Sequence, residues 1–296
     1  MLANRGVWLA LLASAAFSMK AIFVKLAYLH GVDAVLLLAL RMAFSLPVLL
    51  AAAWWSGRNA ELVLTAKDWR MILFLGFIGY YLSSLLDFLG LAYISAGLER
   101  LILFLYPTVV VLISVFMFGK NISRRAIFAM ALSYTGIGIA FLHDVRVTGD
   151  QRATLIGSGL IFLCMISYAI YLVGSGQMTG RMGSTRFAAL ATSVAAIASV
   201  VHFMLANPLV EAVQQPWQVY AYAAAMAGVS TILPIFLTAR AIQLIGASKV
   251  SIIGSIGPVA TIFFAWLFLG VNVSLEQMTG AAFVLGGVML VSSKKA

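Results

Sequence analysis

The chain has 296 residues, of which 63% are hydrophobic and 9% charged, with a mean hydropathy of +1.06. A soluble domain carries roughly 25% charged residues, so a chain of this mix could not cover its own surface and reads as an all-α integral membrane protein. The formal charge of +10 does not point to nucleic acid, because the lysines and arginines lie between apolar runs and report membrane orientation.

Ten apolar runs of spanning length follow one another: 6–27, 34–54, 69–91, 96–118, 125–142, 155–173, 185–205, 217–238, 247–269 and 275–291. A helix needs about 20 residues to cross hydrocarbon. Strands of a β-barrel would be about 10 residues with strict alternation, a pattern absent here. The first run is too long for a signal peptide, carries Lys20 late and leads directly into another span. With the N-terminus in the cytoplasm, thirteen of the nineteen basic residues fall inside, and the outside loops hold only Arg146 and Arg152. That places both termini in the cytoplasm and requires an even number of spans.

The segment from Ala96 to Ser123 returns 151 residues later, from Ala247 to Ser274. Pro107 matches Pro258, and each is followed twelve residues on by Gly-x-Asn, at Gly119/Asn121 and Gly270/Asn272; Gly136 and Gly287 also match. The offset divides the chain into halves of five helices, 1–145 and 155–296, joined by the polar connector 143–154. An odd number of spans inverts the second half relative to the first, and inverted repeats with a midplane site between them are typical of secondary transporters. The expected fold is thus ten transmembrane helices in two inverted five-helix repeats.

Ionisable groups inside a span are costly and are retained for a reason. Lys20, Arg41, Asp87, Glu99 and Arg100 all fall in the outer third of the first half's helices. Two roles stay open for them: an ion-pair network tying four helices together, or a cavity that takes a charged part of a cargo. Tyr80, Tyr81, Ser84, Tyr106, Tyr168, Tyr171 and Thr231 are deep enough to line an amphipathic pocket or to hydrogen-bond across helices. Ser251, Ser255 and Pro258 share one helical face, which either packs closely or lines a cavity. A proline frees a backbone carbonyl, so Pro107, with Pro258 and its neighbours Gly254 and Gly257, reads as a pair of hinges.

No HExxH, P-loop or nucleotide motif occurs, His30, His143 and His202 are scattered, and the nine acidic residues do not cluster. One cysteine, Cys164, excludes a disulfide framework and a cysteine-built metal site. No enzyme, cofactor or metal is expected.

Leu40-Arg41, Ala92-Tyr93-Ile94-Ser95-Ala96, Pro107, Gly119 and Asn121, with Ala247, Pro258, Gly270 and Asn272, resemble the drug/metabolite transporter superfamily, EamA type. The run from Ser95 to Pro107 is similar to that of bacterial amino-acid exporters whose substrates include aromatic amino acids. The resemblance implies an inner-membrane exporter of small metabolites without ATP use, foremost amino acids. Drugs, nucleotide-sugars and sugar phosphates are the alternative cargoes. It further implies a cavity lined by spans one, three, four, six, eight and nine, and alternating access through bending of the fourth and ninth. Small-molecule cargo and lipid are the implied partners, and a monomer is the expected state. The halves differ at Arg41, which meets Thr192, and at Asp87, which meets Thr238. A symmetric charge relay is not implied.

Overall fold

A computed structural model describes residues 2–58, 63–118 and 124–292. It is 88% helix, with no strand among the described residues. The first half holds α1 (Leu2–Tyr28), α2 (Ala34–Gly57), α3 (Ala66–Gly76), α4 (Ser83–Leu91), α5 (Ala96–Leu103), α6 (Tyr106–Phe118) and α7 (Arg124–Thr148). The second holds α8 (Gln151–Met182), α9 (Ser184–Ala206), α10 (Trp217–Ala225), α11 (Leu233–Ile245), α12 (Ala247–Gly254), α13 (Gly257–Leu269) and α14 (Leu275–Ser292). Wider π-helical stretches, Phe77–Leu82 and Met226–Ile232, join α3 to α4 and α10 to α11.

Seven segments are each long and apolar enough to cross a membrane: Arg5–Tyr28, Ala34–Gly57, Ala66–Leu91, Ile127–Thr148, Gln151–Met182, Ser184–Ala206 and Trp217–Ile245. Of the other three expected runs, 96–118 and 247–269 are interrupted, and α14 is shorter. Large apolar side chains such as Phe74, Phe128, Leu163 and Phe263 stand exposed on the outside, as a hydrocarbon solvent permits.

Helix starts reflect local chemistry. Asp33 accepts from the backbone N–H groups of Val35 and Leu36, Thr65 and Asp68 form a reciprocal capping box, and Asp150 accepts from Ala153. The expected polar connector 143–154 is mostly helix instead. α7 runs to Thr148, and Gly149 turns the chain with φ +68° before α8 begins at Gln151. The polar residues there find partners rather than water. Asp144 is buried and accepts from the Ser95 backbone and hydroxyl, both at 2.8 Å, while Ser95 itself caps α5. His143 and Arg146 reach Glu276 of α14 at 2.8 and 2.5 Å.

The two prolines differ from mid-helix kinks. α5 ends at Leu103, Phe104 and Leu105 form a turn, and Pro107 is the second residue of α6. α12 ends at Gly254, Ser255 and Ile256 form the equivalent turn, and Pro258 is the second residue of α13. Proline is tolerated in a first helical turn because its missing N–H would have no partner there. The turns close alike: Leu105 N donates to Ile102 O at 3.0 Å, and Ile256 N to Ile253 O at 3.2 Å. Gly270 ends α13 with φ +65°, which favours glycine; the matching Gly119/Asn121 signal lies outside the described residues.

α1 packs against α10–α13, α2 against α9, α4 against α8, and α7 against α14. The α7–α14 contact is built on glycine. A methyl group at Gly136 would lie 2.6 Å from the Gly280 carbonyl oxygen, and one at Gly287 would press on Ser133 and the Ala129 carbonyl. Small residues let helices approach where lipid supplies no hydrophobic drive. Gly136→Val and Gly287→Val are therefore expected to destabilise the protein by about 1–3 kcal/mol each, read as a lowered midpoint of thermal unfolding in detergent. Gly138→Val, at a glycine with open space around it, is the control expected to change little.

Candidate functional site

A cavity of about 500 Å³ lies among α1, the α3–α4 and α10–α11 helices, α5, α8 and α12. This is within the range of roughly 300–1,000 Å³ for small-molecule sites. Its lining pairs residues 151 apart: Phe17 with Tyr168, Tyr80 with Thr231, and Asp87 with Thr238. The cavity thus draws on the same positions of both halves, filled with different chemistry.

One end is charged and buried. Lys20, Arg41, Asp87, Glu99 and Arg100 are each at most 6% exposed. Lys20 Nζ sits 2.6 Å from Asp87 Oδ2 and 3.2 Å from Glu99 Oε1, so one ammonium holds two carboxylates from different helices. Arg41 Nε donates to Thr231 Oγ1 at 3.0 Å, and its guanidinium lies over the Phe88 ring. Arg100 lies over Phe17 and Phe104, with a long 3.5 Å contact from Nη2 to Ser18 Oγ. Buried charge is tolerable only when paired and hydrogen-bonded. The opposite end loosens: Ser184 is exposed, and Thr185, Thr238 and Ile242 are partly so.

Between the ends is an aromatic wall. Tyr80, Tyr106 and Tyr168 face the cavity; Tyr106 meets Tyr168 edge-on at 5.7 Å, and Tyr171 lies behind, 4.9 Å from Tyr80 and 6.0 Å from Tyr168. The π-helical stretches set this wall. A wide turn rotates the register of the helix beyond it, and the two stretches carry Gly79 and Tyr80 on one side of the cavity and Ser230 and Thr231 on the other. Gly79 is required: a methyl there would run into the Tyr171 ring.

Of the expected site residues, Lys20, Tyr80, Ser84, Asp87, Arg100, Tyr106, Tyr168, Thr231 and Gly254 meet at this cavity. Glu99 is behind the lining, on Lys20. Tyr81 turns away to stack edge-on against His202 of α9. Ser255 is buried in the turn before α13, and Gly257 packs beneath Arg100; the side chain of Ser251 lies outside the described residues. Sequence reasoning did not single out Phe17, Ser14 or Ser18. Their i, i+3, i+4 spacing with Lys20 and Ala13 on α1 was the signal available. It also did not single out Lys25, which lies within electrostatic reach of Asp144 and Glu99.

α1 is tied to the ninth segment's break. Ser14 Oγ donates to Gly254 O at 3.2 Å, the carbonyl four residues before Pro258 that the proline cannot bond. Ser18 Oγ reaches Gly257 O at 3.1 Å.

The EamA-like transporter family model matches residues 4–142 and again 155–293, two matches offset by 151 residues. The chain belongs to the EamA-like transporter family. This EamA-like chain is 30% identical over 298 residues to the uncharacterized transporter YcbK of Bacillus subtilis (strain 168), covering 98% of itself and 92% of that protein. It is 25% identical to the uncharacterized transporter YyaM of the same organism, covering 74% of itself and 71% of that protein. A chain of a solved crystal structure shares the fold with TM-score 0.66 at 17% identity, over 97% of this chain and 96% of that one. The chain is therefore a multi-span, all-helical membrane protein of a transporter family.

Proposed function

We propose that this protein is a secondary transporter that exports small amphipathic metabolites, foremost aromatic and other neutral amino acids, across the bacterial inner membrane. The carrying observation is the cavity itself, which offers both charge signs at one end and a tyrosine wall beside them. A zwitterionic amino acid presents a carboxylate, an ammonium and a side chain close together, and those three surfaces meet it.

In this reading the chain spans ten times, as two inverted five-helix repeats with cytoplasmic termini. Supporting it, the paired breaks at 104–105 and 255–256 recur at the 151-residue offset, and the π-helical stretches Phe77–Leu82 and Met226–Ile232 overlap at that offset. The helix contacts respect the same exchange: α2 with α9 and α7 with α14 pair equivalent elements, and α1 with α11 answers α8 with α4. The loose end of the cavity then faces the cytoplasm, the charged end is the closed outer gate, and the two broken segments bend in alternation. Both broken segments touch the cargo space, as inverted-repeat transporters require.

The test is solute flux. Purified protein in proteoliposomes is given radiolabelled amino acids, a sugar phosphate and a cationic dye, with and without a pH gradient. Saturable uptake of aromatic or neutral amino acids, competed by unlabelled amino acid, is the expected result. Transport of only the phosphate or the dye overturns the cargo assignment and leaves the transporter family in place.

A further inference from the structure

We infer that the cargo of this transporter bears a carboxylate and that Arg100 is the group that receives it; the inference deepens the reading above by naming the anchor. Charge balance is the first support. The buried cluster holds three cations, Lys20, Arg41 and Arg100, against two acids, Asp87 and Glu99, an excess of one positive charge. Adding Lys25 and Asp144, which lie within reach of each other, leaves the excess unchanged. An unbalanced buried charge is strongly unfavourable, and a carboxylate set against the cluster offsets it, fully for a monocarboxylate and only locally for a zwitterionic amino acid, whose ammonium restores the net charge.

Hydrogen-bond capacity is the second support: Arg100 Nε and Arg41 Nη1 are both unpartnered among the described residues, and Arg100 has the weaker existing anchor. Both acids face Lys20 at 2.6 and 3.2 Å, so the ammonium is already engaged. Arg41 is anchored by its Nε on Thr231. Among the described residues, Arg100 faces the cavity with its Nε unpartnered and only the 3.5 Å contact from Nη2 to Ser18. A guanidinium presents a planar fork that matches a carboxylate bidentately. The rings of Phe17 and Phe104 hold that plane, with centroids 5.0 and 5.9 Å from the guanidinium carbon. Tyr106 and Tyr168 stand in the same lining, where an apolar or aromatic side chain of the cargo would rest.

Position gives the anchor a second consequence. Arg100 belongs to α5, which ends at the first break, and its guanidinium lies against Gly257, just past the second break; a methyl at Gly257 would be 2.9 Å from Nη2. A side chain at 257 would displace the guanidinium. A carboxylate that draws the guanidinium toward the cavity lifts it from Gly257, so one contact reports cargo to both broken segments.

The experiment measures binding to the full-length protein in detergent by thermal shift and calorimetry. The probes are 3-phenylpropionate and phenylalanine, each with its primary amide, neutral in the first pair and cationic in the second. The wild type is expected to prefer acid over amide by about 100-fold in at least one pair, the usual penalty for leaving a buried charge unpaired. Arg100→Gln removes most of that preference, and Arg100→Lys, a point charge without the fork, retains part of it. Equal binding of acid and amide in both pairs, binding of none of the four, or a preference that survives Arg100→Gln overturns the inference. The wild-type comparison stands even if Arg100→Gln fails to fold. Acid preference dependent on Arg100 without amino-acid flux leaves the anchor in place and sinks the amino-acid reading. Flux of amino acids and their amides alike does the reverse.

Discussion

Lys20→Met is expected to be among the most damaging single substitutions in the chain, lowering stability by about 3–5 kcal/mol, the usual result of removing one partner from a buried ion pair. The reason is geometric. One ammonium satisfies Asp87 of α4 and Glu99 of α5, both essentially without exposure. Asp87 Oδ1 and Glu99 Oε2 already lack a hydrogen-bond partner among the described residues, so both carboxylates would lose their close cation and be balanced only from farther away by Arg41 and Arg100. The triple variant Lys20→Met/Asp87→Asn/Glu99→Gln removes charge from all three positions but leaves Arg41 and Arg100 without an acid in the cluster, so it should recover only the part of the loss that comes from the stranded carboxylates. Thermal unfolding in detergent reads both. A Lys20→Met protein within about 0.5 kcal/mol of wild type, the range of an ordinary surface change, would show that the triad does not hold α1, α4 and α5 together. Flux through the triple variant then separates the two roles the sequence left open. Retained flux makes the triad structural, and lost flux in a folded protein makes it part of the cargo path.

The features readable from the chain alone divide from the others along physical lines. Seven of the ten expected span positions were legible because hydrocarbon demands a long apolar run from a crossing segment, and that demand is written residue by residue. The repeat was legible because Pro107, Gly136 and their partners occupy positions where few other residues fit. The buried charges were legible for the same reason, since an ionisable residue within an apolar run stands out. Less visible were features that depend on where neighbours sit. Asp144 looked like linker polarity, and only its contact with Ser95 shows that it holds the residue that caps α5. Tyr80 and Tyr81 looked equivalent. The π-helical stretch sends one into the cavity and the other to His202. Ser14 and Ser18 do not stand out in the sequence, and their role depends on the carbonyls of Gly254 and Gly257 opposite them. A proline signals that a helix is perturbed, but whether the result is a kink or a clean break depends on the residues before it. Here Phe104–Leu105 and Ser255–Ile256 adopt the same turn despite sharing no residue type.

The second large expectation concerns those breaks. Pro107→Ala and Pro258→Ala each restore a backbone N–H four residues after the carbonyls of Leu103 and Gly254, and alanine is the best helix former. The new N–H can extend the upstream helix through the turn. At 258 it competes with Ser14 Oγ, which donates to Gly254 O at 3.2 Å. One added hydrogen bond contributes about 0.5–1.5 kcal/mol net, so each variant should unfold at a higher temperature than wild type. If the broken segments bend during transport, that same stabilisation must be undone in every cycle. About 1.4 kcal/mol corresponds to tenfold in rate, so each substitution should slow flux up to about tenfold, and the pair more than either alone. Binding of the carboxylate probes should change far less, because Arg100 lies before the first break and its ring partner Phe17 is on α1. Higher stability with lower flux and near-normal binding is a combination that a general packing defect does not produce. Unchanged flux in the double variant would show that the breaks are fixed architecture and that the gates move elsewhere, with the π-helical stretches at Phe77–Leu82 and Met226–Ile232 the next paired elements to hold responsible.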